Sequence, residues 1–208
     1  MGTTLLSCHS DARRSFRRAL SFPALIVSAV VVAACSAGNG LTSPASIDNV
    51  TRTYSVYALT GTSNALPAAY QYSTETLVRP QLLASGQLNF DVAFDITADG
   101  KARLLPAKYV VPLPPGGAPI IGLQKMTAAY LQLERAPLTG YTLDSAATAS
   151  VGETFTLQLQ NAGCIYGDFF YAKLTIDSVI VSQRRIVVRS LVNRNCGYRS
   201  LTEGLPKD

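Results

Sequence analysis

Few side chains of this sequence can act as nucleophiles or bind a transition metal. The 208 residues contain one histidine, His9, and four cysteines, Cys8, Cys35, Cys164 and Cys196. Catalytic triads, Cys–His dyads and most zinc sites need an imidazole, a thiolate or both. Because His9 and Cys8 lie close to the N-terminus, the chemistry open to the chain depends on whether its first segment is kept.

The N-terminal segment has the regions of an export signal. Arg13, Arg14, Arg17 and Arg18 place four positive charges within six residues, and an apolar run of 16 residues follows over 19–34. A membrane-spanning helix needs about 20 apolar residues. A basic stretch followed by a short apolar stretch and small residues is typical of a secretory signal peptide. The arginine pair leaves the general and the twin-arginine export routes both open.

The apolar run ends at a cysteine in a specific context. Val32-Ala33-Ala34-Cys35 resembles the lipobox of bacterial lipoproteins, in which an aliphatic residue and two small residues precede an obligatory cysteine. The resemblance implies cleavage after Ala34, acylation of Cys35, and a lipid bilayer of the bacterial cell envelope as partner. Ser36 implies the outer membrane, facing the periplasm or the cell surface. An ordinary secretory signal and an uncleaved N-terminal anchor are the alternatives.

Cleavage at this point would change the chemistry and charge of the chain. It would remove His9, four of the 18 Lys and Arg residues and one of the 13 Asp and Glu residues, which lowers the formal charge from +5 to +2. We therefore expect no nucleic-acid partner, since the basic character lies mostly in the signal. A mature chain without histidine excludes a Ser–His–Asp triad and the usual His-containing metal sites. We expect no enzyme, cofactor or metal.

Two cysteines remain once Cys35 carries lipid. An even number of cysteines in an oxidising compartment predicts a disulfide between Cys164 and Cys196. Such a bridge closes a loop of about 32 residues and stabilises the fold by about 3–4 kcal/mol in the chain-entropy model. Two buried free thiols are the alternative.

The rest of the chain shows the period-two alternation of β-strands. The clearest half-buried strand is the run from Phe90 to Thr97, and Asp99-Gly100 predicts a hairpin after it. Residues 77–87 have room for one short helical turn, which Pro80 would end. Further strands are expected at residues 54–58, 101–105, 126–134, 154–160, 170–177 and 186–192.

These strands predict an all-β fold. A single antiparallel β-sandwich explains them best, because each one-faced strand must bury its apolar side against another sheet. A small lipocalin-like β-barrel is the alternative. The predicted organisation is a lipoprotein signal peptide at 1–34, a lipidated cysteine with a flexible tether at 35–49, and one sandwich-like domain at 50–208.

The C-terminal part contains a basic cluster. Residues 184–199 hold five arginines and no acidic residue. They could contact an anionic surface such as lipid head groups or an acidic partner. The plainer interpretation is a solvated hairpin and an edge-protecting strand face. The arginines are Arg184, Arg185, Arg189, Arg194 and Arg199.

Three further stretches have both a functional and a plain interpretation. Asp95 to Gly100 resembles the start of a calcium loop, but its twelfth position is Pro106 instead of glutamate, which favours a hairpin turn. Residues 112–119 are rich in Pro and Gly and could be a polyproline ligand or a loop over a binding cleft, although a sheet-to-sheet connection is favoured. Tyr166, Phe169, Phe170 and Tyr171, next to Cys164, could line a pocket, but packing around a disulfide is favoured.

The sequence supports three functional hypotheses. The first is a non-enzymatic, lipid-anchored envelope protein with a structural or protein–protein interaction role. The second is a carrier of small apolar ligands, with a barrel interior lined by residues such as Phe90, Phe94, Leu157 and Leu174. The third is an envelope hydrolase, which needs two carboxylates facing each other at roughly 5–10 Å.

Overall fold

The structure is a computed structural model that describes residues 44–112, 114–160, 164 and 169–207. The predicted signal peptide, Cys35 and the first part of the tether lie outside these residues, as does Tyr166. The described residues form eleven strands and one short α-helix, α1 (Ala107–Val110). None of their helices has the length and apolarity that crossing a membrane requires. The strands are β1 (Thr51–Tyr57), β2 (Ala69–Gln71), β3 (Thr76–Val78), β4 (Val92–Ile96), β5 (Ala102–Pro106), β6 (Ile121–Met126), β7 (Thr142–Leu143), β8 (Ala147–Ala149), β9 (Thr154–Gln160), β10 (Phe169–Ile180) and β11 (Arg185–Asn193).

The strands form two antiparallel sheets that make a β-sandwich, as the sequence predicts. One sheet has six strands in the order β1-β11-β10-β9-β6-β7, and the other has five in the order β3-β2-β4-β5-β8. The sheets do not close into a barrel, so the lipocalin-like alternative is wrong. The predicted hairpin at Asp99-Gly100 joins β4 to β5, and Gly100 adopts a φ of 79° there. This left-handed conformation favours glycine.

The main core fills the space between the sheets. Phe94 and Leu104 of the five-stranded sheet pack with Leu157 and Leu174 of the six-stranded sheet, and all four are fully buried. Burial of each such side chain contributes roughly 1.5–3 kcal/mol. Phe90 does not join them and belongs to a second cluster. The open interior that a barrel carrier needs is therefore replaced by packed side chains.

The strand that looked half-buried in the sequence is covered on both faces. All five residues of β4 are buried. Phe94 faces the main core, whereas Ala93 packs in the second cluster on the other face with Phe90 and Leu105. Partly buried side chains from α1 and the loops, among them Val110 and Ala118, pack against this second cluster. The expectation of a solvent-exposed polar face was wrong, because loops distant in sequence cover it.

Two local predictions also fail. The strand predicted at 126–134 is displaced, since β6 ends at Met126 and a 3₁₀ turn occupies Tyr130–Gln132. Leu131, expected on an inward face, is 79% exposed. The carbonyls of Tyr130 and Leu133 accept hydrogen bonds from the buried Lys173 amine, so they do not enter a strand ladder. Residues 77–87 contain β3 and loops instead of a helical turn.

Candidate functional site

A cleft of about 460 Å³ opens between the ends of the two sheets. Small-molecule sites commonly have volumes of roughly 300–1,000 Å³. The cleft combines amide and hydroxyl side chains, one carboxylate, apolar side chains and a Gly-rich loop. Its lining residues are Gln71, Ser73, Gln87, Leu88, Asp91, Gly116, Gly117, Ala118, Pro119, Leu159, Gln160 and Phe170.

Central strands of both sheets position the cleft. Gln71 ends β2, and Asp91 immediately precedes β4. On the six-stranded sheet, Gln160 ends β9, and Phe170 pairs with Leu159 at the start of β10. Each of these strands has hydrogen-bonded neighbours on both sides. The cleft therefore lies at strand ends, not along an unpaired strand edge.

Two glycines in close contact fix one wall of the cleft. The Gly116 nitrogen donates a hydrogen bond of 2.8 Å to the Gly86 carbonyl. A Cβ atom added at Gly116 would lie 2.5 Å from the Ser85 carbonyl oxygen and 2.6 Å from the Gln87 nitrogen. The loops can approach this closely only without a side chain at position 116. The described part of this Pro/Gly-rich stretch connects the five-stranded sheet to the six-stranded sheet, as favoured above, and it also lines the cleft.

The carboxylate in the cleft is Asp91, which is only 8% exposed. Its Oδ2 accepts a hydrogen bond of 2.7 Å from the Tyr72 backbone nitrogen. Burial outweighs the hydrogen bonds from the backbone of Tyr72 and Ser73 and raises the pKa of Asp91 to about 6. A carboxyl group with this pKa is mostly ionised at pH 7 and mostly protonated at pH 5. It can accept a hydrogen bond from a ligand or act as an acid or base.

An ion cluster lies beside the cleft in the turn between β2 and β3. Glu75 forms ion pairs with Arg52 of β1 and with Arg194, whose Nε is 3.1 Å from Glu75 Oε1. The Glu75 side chain is 7% exposed, and its backbone φ is 54°. The charge of Glu75 is therefore compensated, and its contacts hold the turn that carries Ser73 into the cleft.

The five predicted cationic residues have different partners in the fold. Arg184 reaches from the β10–β11 turn to Asp95 of the opposite sheet, and its Nη2 lies 2.9 Å from Asp95 Oδ1. Arg185 pairs with Tyr57 and Ile180 in the ladder of the six-stranded sheet. Three of the five guanidiniums pair with carboxylates of the fold, and contact with an anionic surface stays a prediction. The other contacts are Arg189 with Asp177, Arg194 with Glu75, and Arg199 with the Ala136 carbonyl.

The two candidate disulfide cysteines lie next to each other. Their Cα atoms are 5.5 Å apart, which is disulfide distance. Cys164 belongs to the connection between β9 and β10, and Cys196 follows β11. Of the predicted aromatic cluster, Phe170 lines the cleft, whereas Phe169 and Tyr171 pack in a third cluster outside the main core. The packing interpretation thus fits all three described residues, since Phe170 packs against the main core as well as lining the cleft.

The stretch that resembled a calcium loop forms a hairpin, and each of its two carboxylates forms an ion pair with a basic side chain. Asp95 accepts a hydrogen bond of 2.8 Å from the Thr60 hydroxyl as well as its contact with Arg184. The carboxylate of Asp99 lies 2.8 Å from the Lys101 amine. Within the described ranges, no three His, Cys, Asp or Glu side chains are grouped so as to hold a metal ion.

The sequence pattern did not single out the residues of the cleft. Asp91 is one of two acids on the polar parity of a predicted strand, and the three glutamines stand in unrelated segments. Only Phe170 and the Gly-rich loop were candidates beforehand. A search for polar residues at strand ends would have included Gln71, Asp91 and Gln160, but without indicating that they meet.

Comparison with known proteins returns no relative. No protein-family model, no curated protein and no solved structure matches this chain. The interpretation of the cleft therefore depends on its own residues.

Proposed function

We propose that this chain is a lipid-anchored protein of the bacterial cell envelope whose β-sandwich recognises a partner at the cleft without catalysing a reaction. The observation that carries this proposal is the cleft at the ends of β2, β4, β9 and β10, with its mixed polar and apolar lining. Hydrolysis by carboxylates usually needs a pair of acids. Asp91 is the only acidic residue among the described residues of the lining.

The attachment of the tether supports an orientation towards the membrane. The Ser46 nitrogen donates a hydrogen bond of 2.8 Å to Asn195 Oδ1, and Asn195 Nδ2 donates one of 2.8 Å to the Ile47 carbonyl. The chain around Asn195 also contacts the start of β10, because the Gly197 nitrogen donates a hydrogen bond of 3.1 Å to the Phe169 carbonyl. The chain therefore joins the sandwich at the end that carries the cleft, upstream of the domain start predicted at residue 50.

This arrangement would keep the cleft close to the bilayer. About ten residues separate Cys35 from the first contacts of the tether with the domain. Even fully extended, such a segment spans no more than about 35 Å. A lipid on Cys35 would thus present the cleft end to components at or near the membrane surface.

Membrane fractionation of cells that express the full chain tests the anchor. Cys35→Ala should move the protein from the membrane fraction to the soluble fraction and abolish incorporation of labelled palmitate. Ser36→Ala, one position along, should stay in the membrane fraction. Unchanged fractionation of Cys35→Ala would refute lipid anchoring.

An envelope hydrolase is the second candidate, because the raised pKa of Asp91 suits acid–base chemistry. This candidate predicts that the protein releases reducing ends from isolated envelope polysaccharides, and that Asp91→Asn abolishes the release. A protein that binds such material without releasing reducing ends supports the recognition proposal. Release that depends on Asp91 would overturn it.

A further inference from the structure

We propose that the ligand of the cleft is a neutral saccharide. The inference rests on the proposed recognition function of the cleft and does not depend on the lipid anchor. It is drawn from four properties of the lining: its charge, its amide groups, its aromatic ring and its position at strand ends.

The charges of the cleft disfavour an anionic ligand. The described lining contains one carboxylate, Asp91, and no lysine or arginine. Arg52 and Arg194 beside the cleft share the one carboxylate of Glu75, and together with Asp91 these four groups carry no net charge. Phosphate and carboxylate ligands are normally held by arginine, lysine or a helix N-terminus. A neutral ligand fits this lining better.

Three glutamines give the lining the polar groups that hydroxyls require. Gln87 and Gln160 each offer an amide donor and an amide acceptor, and Gln71 offers its amide donor, since its Oε1 already accepts a hydrogen bond of 3.0 Å from the Thr74 hydroxyl. A sugar hydroxyl also donates and accepts, so neighbouring hydroxyls can pair with both atoms of one amide. Gln87 and Gln160 are exposed to solvent, which leaves their amides accessible to a ligand.

The rigid carboxylate adds a stronger acceptor. Asp91 is held by the backbone nitrogen of Tyr72, so little side-chain freedom remains to be lost on binding. Hydrogen bonds to an ionised acceptor are roughly twice as strong as those between neutral groups. The carboxylate therefore suits one hydroxyl of a ligand that is otherwise bound by amides.

The apolar part of the lining provides a surface for the C–H face of a sugar ring. Phe170 is only partly buried. It is the first inward-facing residue of β10 and lies at the edge of the main core. Leu88 and Leu159 are buried beside it. The negative face of an aromatic ring attracts the slightly positive C–H groups of a pyranose. A site that combines amides, a carboxylate and one aromatic face thus matches both faces of a saccharide.

The position of the cleft disfavours an extended peptide. Peptides that add to a sheet need an unpaired strand edge. Gln71, Gln160 and Phe170 belong to strands that are paired on both sides. The loop wall at Gly116 and Gly117 instead leaves room for a compact ligand.

Calorimetric titration of the full chain, in a detergent that contains no sugar, tests the proposal. The neutral probes are maltose, cellobiose and di-N-acetylchitobiose. The probes of other ligand classes are glucose 6-phosphate (anionic), spermidine (cationic) and trialanine (peptide). We expect millimolar or tighter binding of at least one neutral disaccharide and weaker binding of the charged and peptide probes. Vesicles with a neutral glycolipid, compared with vesicles of phosphatidylcholine alone, distinguish a lipid-linked from a free saccharide.

Matched variants assign the binding to the cleft. Gln160→Ala should weaken the binding of the disaccharide by about 3- to 10-fold, the effect of one lost hydrogen bond. Gln183→Ala, at an exposed position of the β10–β11 turn, should leave it unchanged. Phe170→Leu should weaken binding by a similar factor while circular dichroism stays native.

Three outcomes would overturn the saccharide inference. They are no binding of any neutral saccharide, equal effects of Gln160→Ala and Gln183→Ala, or tighter binding of a charged or peptide probe. In the last case the cleft would remain a recognition site, and only its ligand class would be wrong. Hydrolysis of the bound disaccharide would instead overturn the non-enzymatic function and leave the saccharide assignment standing.

Discussion

Asp91 Oδ2 lies 2.7 Å from the backbone nitrogen of Tyr72 and accepts its hydrogen. This bond ties the residue before β4 to the chain just beyond β2. The Tyr72 ring is fully buried, and its hydroxyl is 3.4 Å from the Tyr54 hydroxyl of the opposite sheet. The carboxylate of the cleft is therefore connected to the interior of the sandwich.

The burial of Asp91 predicts a pH-dependent stability. Its pKa rises from 3.8 to about 6 in the folded protein. Between these values the folded state holds a proton that the unfolded chain has released, so this group lowers stability as pH rises from about 4 to 7. The pKa difference corresponds to about 3 kcal/mol. In urea unfolding, Asp91→Asn should lose this pH dependence.

An exposed aspartate provides the control. Hydrogen bonds from Lys101 and Thr97 lower the pKa of Asp99 to about 2, so Asp99 stays ionised in the folded protein between pH 4 and 7. Asp99→Asn should follow the wild-type pH dependence over this range. Identical curves for the wild type and Asp91→Asn would contradict the burial of this carboxylate.

The contact between Gly86 and Gly116 predicts that the cleft wall tolerates no side chain. Gly116→Ala would place a methyl group against the backbone of residues 85–87, so the loop must move. We expect a cost of about 1–3 kcal/mol in urea unfolding and weaker ligand binding. Gly117→Ala meets nothing within 4 Å and has only the strain of a φ of 76°. It should cost less stability than Gly116→Ala; equal losses of stability in the two variants would contradict the close packing at Gly116.

The position of Cys164 and Cys196 predicts a disulfide under oxidising conditions. Mass mapping under non-reducing conditions should find one linked peptide that contains both cysteines. Reduction should lower stability by about 3–4 kcal/mol, and it should have no effect on the Cys164→Ser/Cys196→Ser double variant. Two alkylatable thiols in the native protein would refute the bridge.

Lys173 predicts a stability effect away from the cleft. Its amine is buried and donates hydrogen bonds of 2.9 Å to the carbonyls of Tyr130 and Leu133. Lys173→Met removes the donor and leaves two carbonyls without it, so we expect a loss of about 2–4 kcal/mol in urea unfolding. Lys125→Met breaks only an exposed ion pair with Glu153 and should cost less than about 1 kcal/mol. Similar losses in the two variants would contradict a structural role of the buried amine.

The sequence predicted the strands that alternate regularly and end in turn residues. The runs at 154–160 and 186–192 correspond to β9 and β11, and Asp99-Gly100 marks a real hairpin. These features are local, since side-chain alternation and turn preference depend on a few neighbouring residues. The run at 126–134 shows the limit of this reasoning. Its alternation predicted a strand, but the carbonyls of Tyr130 and Leu133 accept hydrogen bonds from the buried amine of Lys173, which is about 40 residues away in sequence.

The sequence by itself determined the all-β class of the domain, because alternating apolar residues must be buried against a second sheet. Only the tertiary structure decided that the sheets stay open and that Asp91, Gln160 and Phe170 line one cleft. It also decided that the cationic side chain of Arg184 lies against Asp95. Burial, a raised pKa and the pairing of charges depend on which distant segments cover a side chain, and no local pattern carries that information.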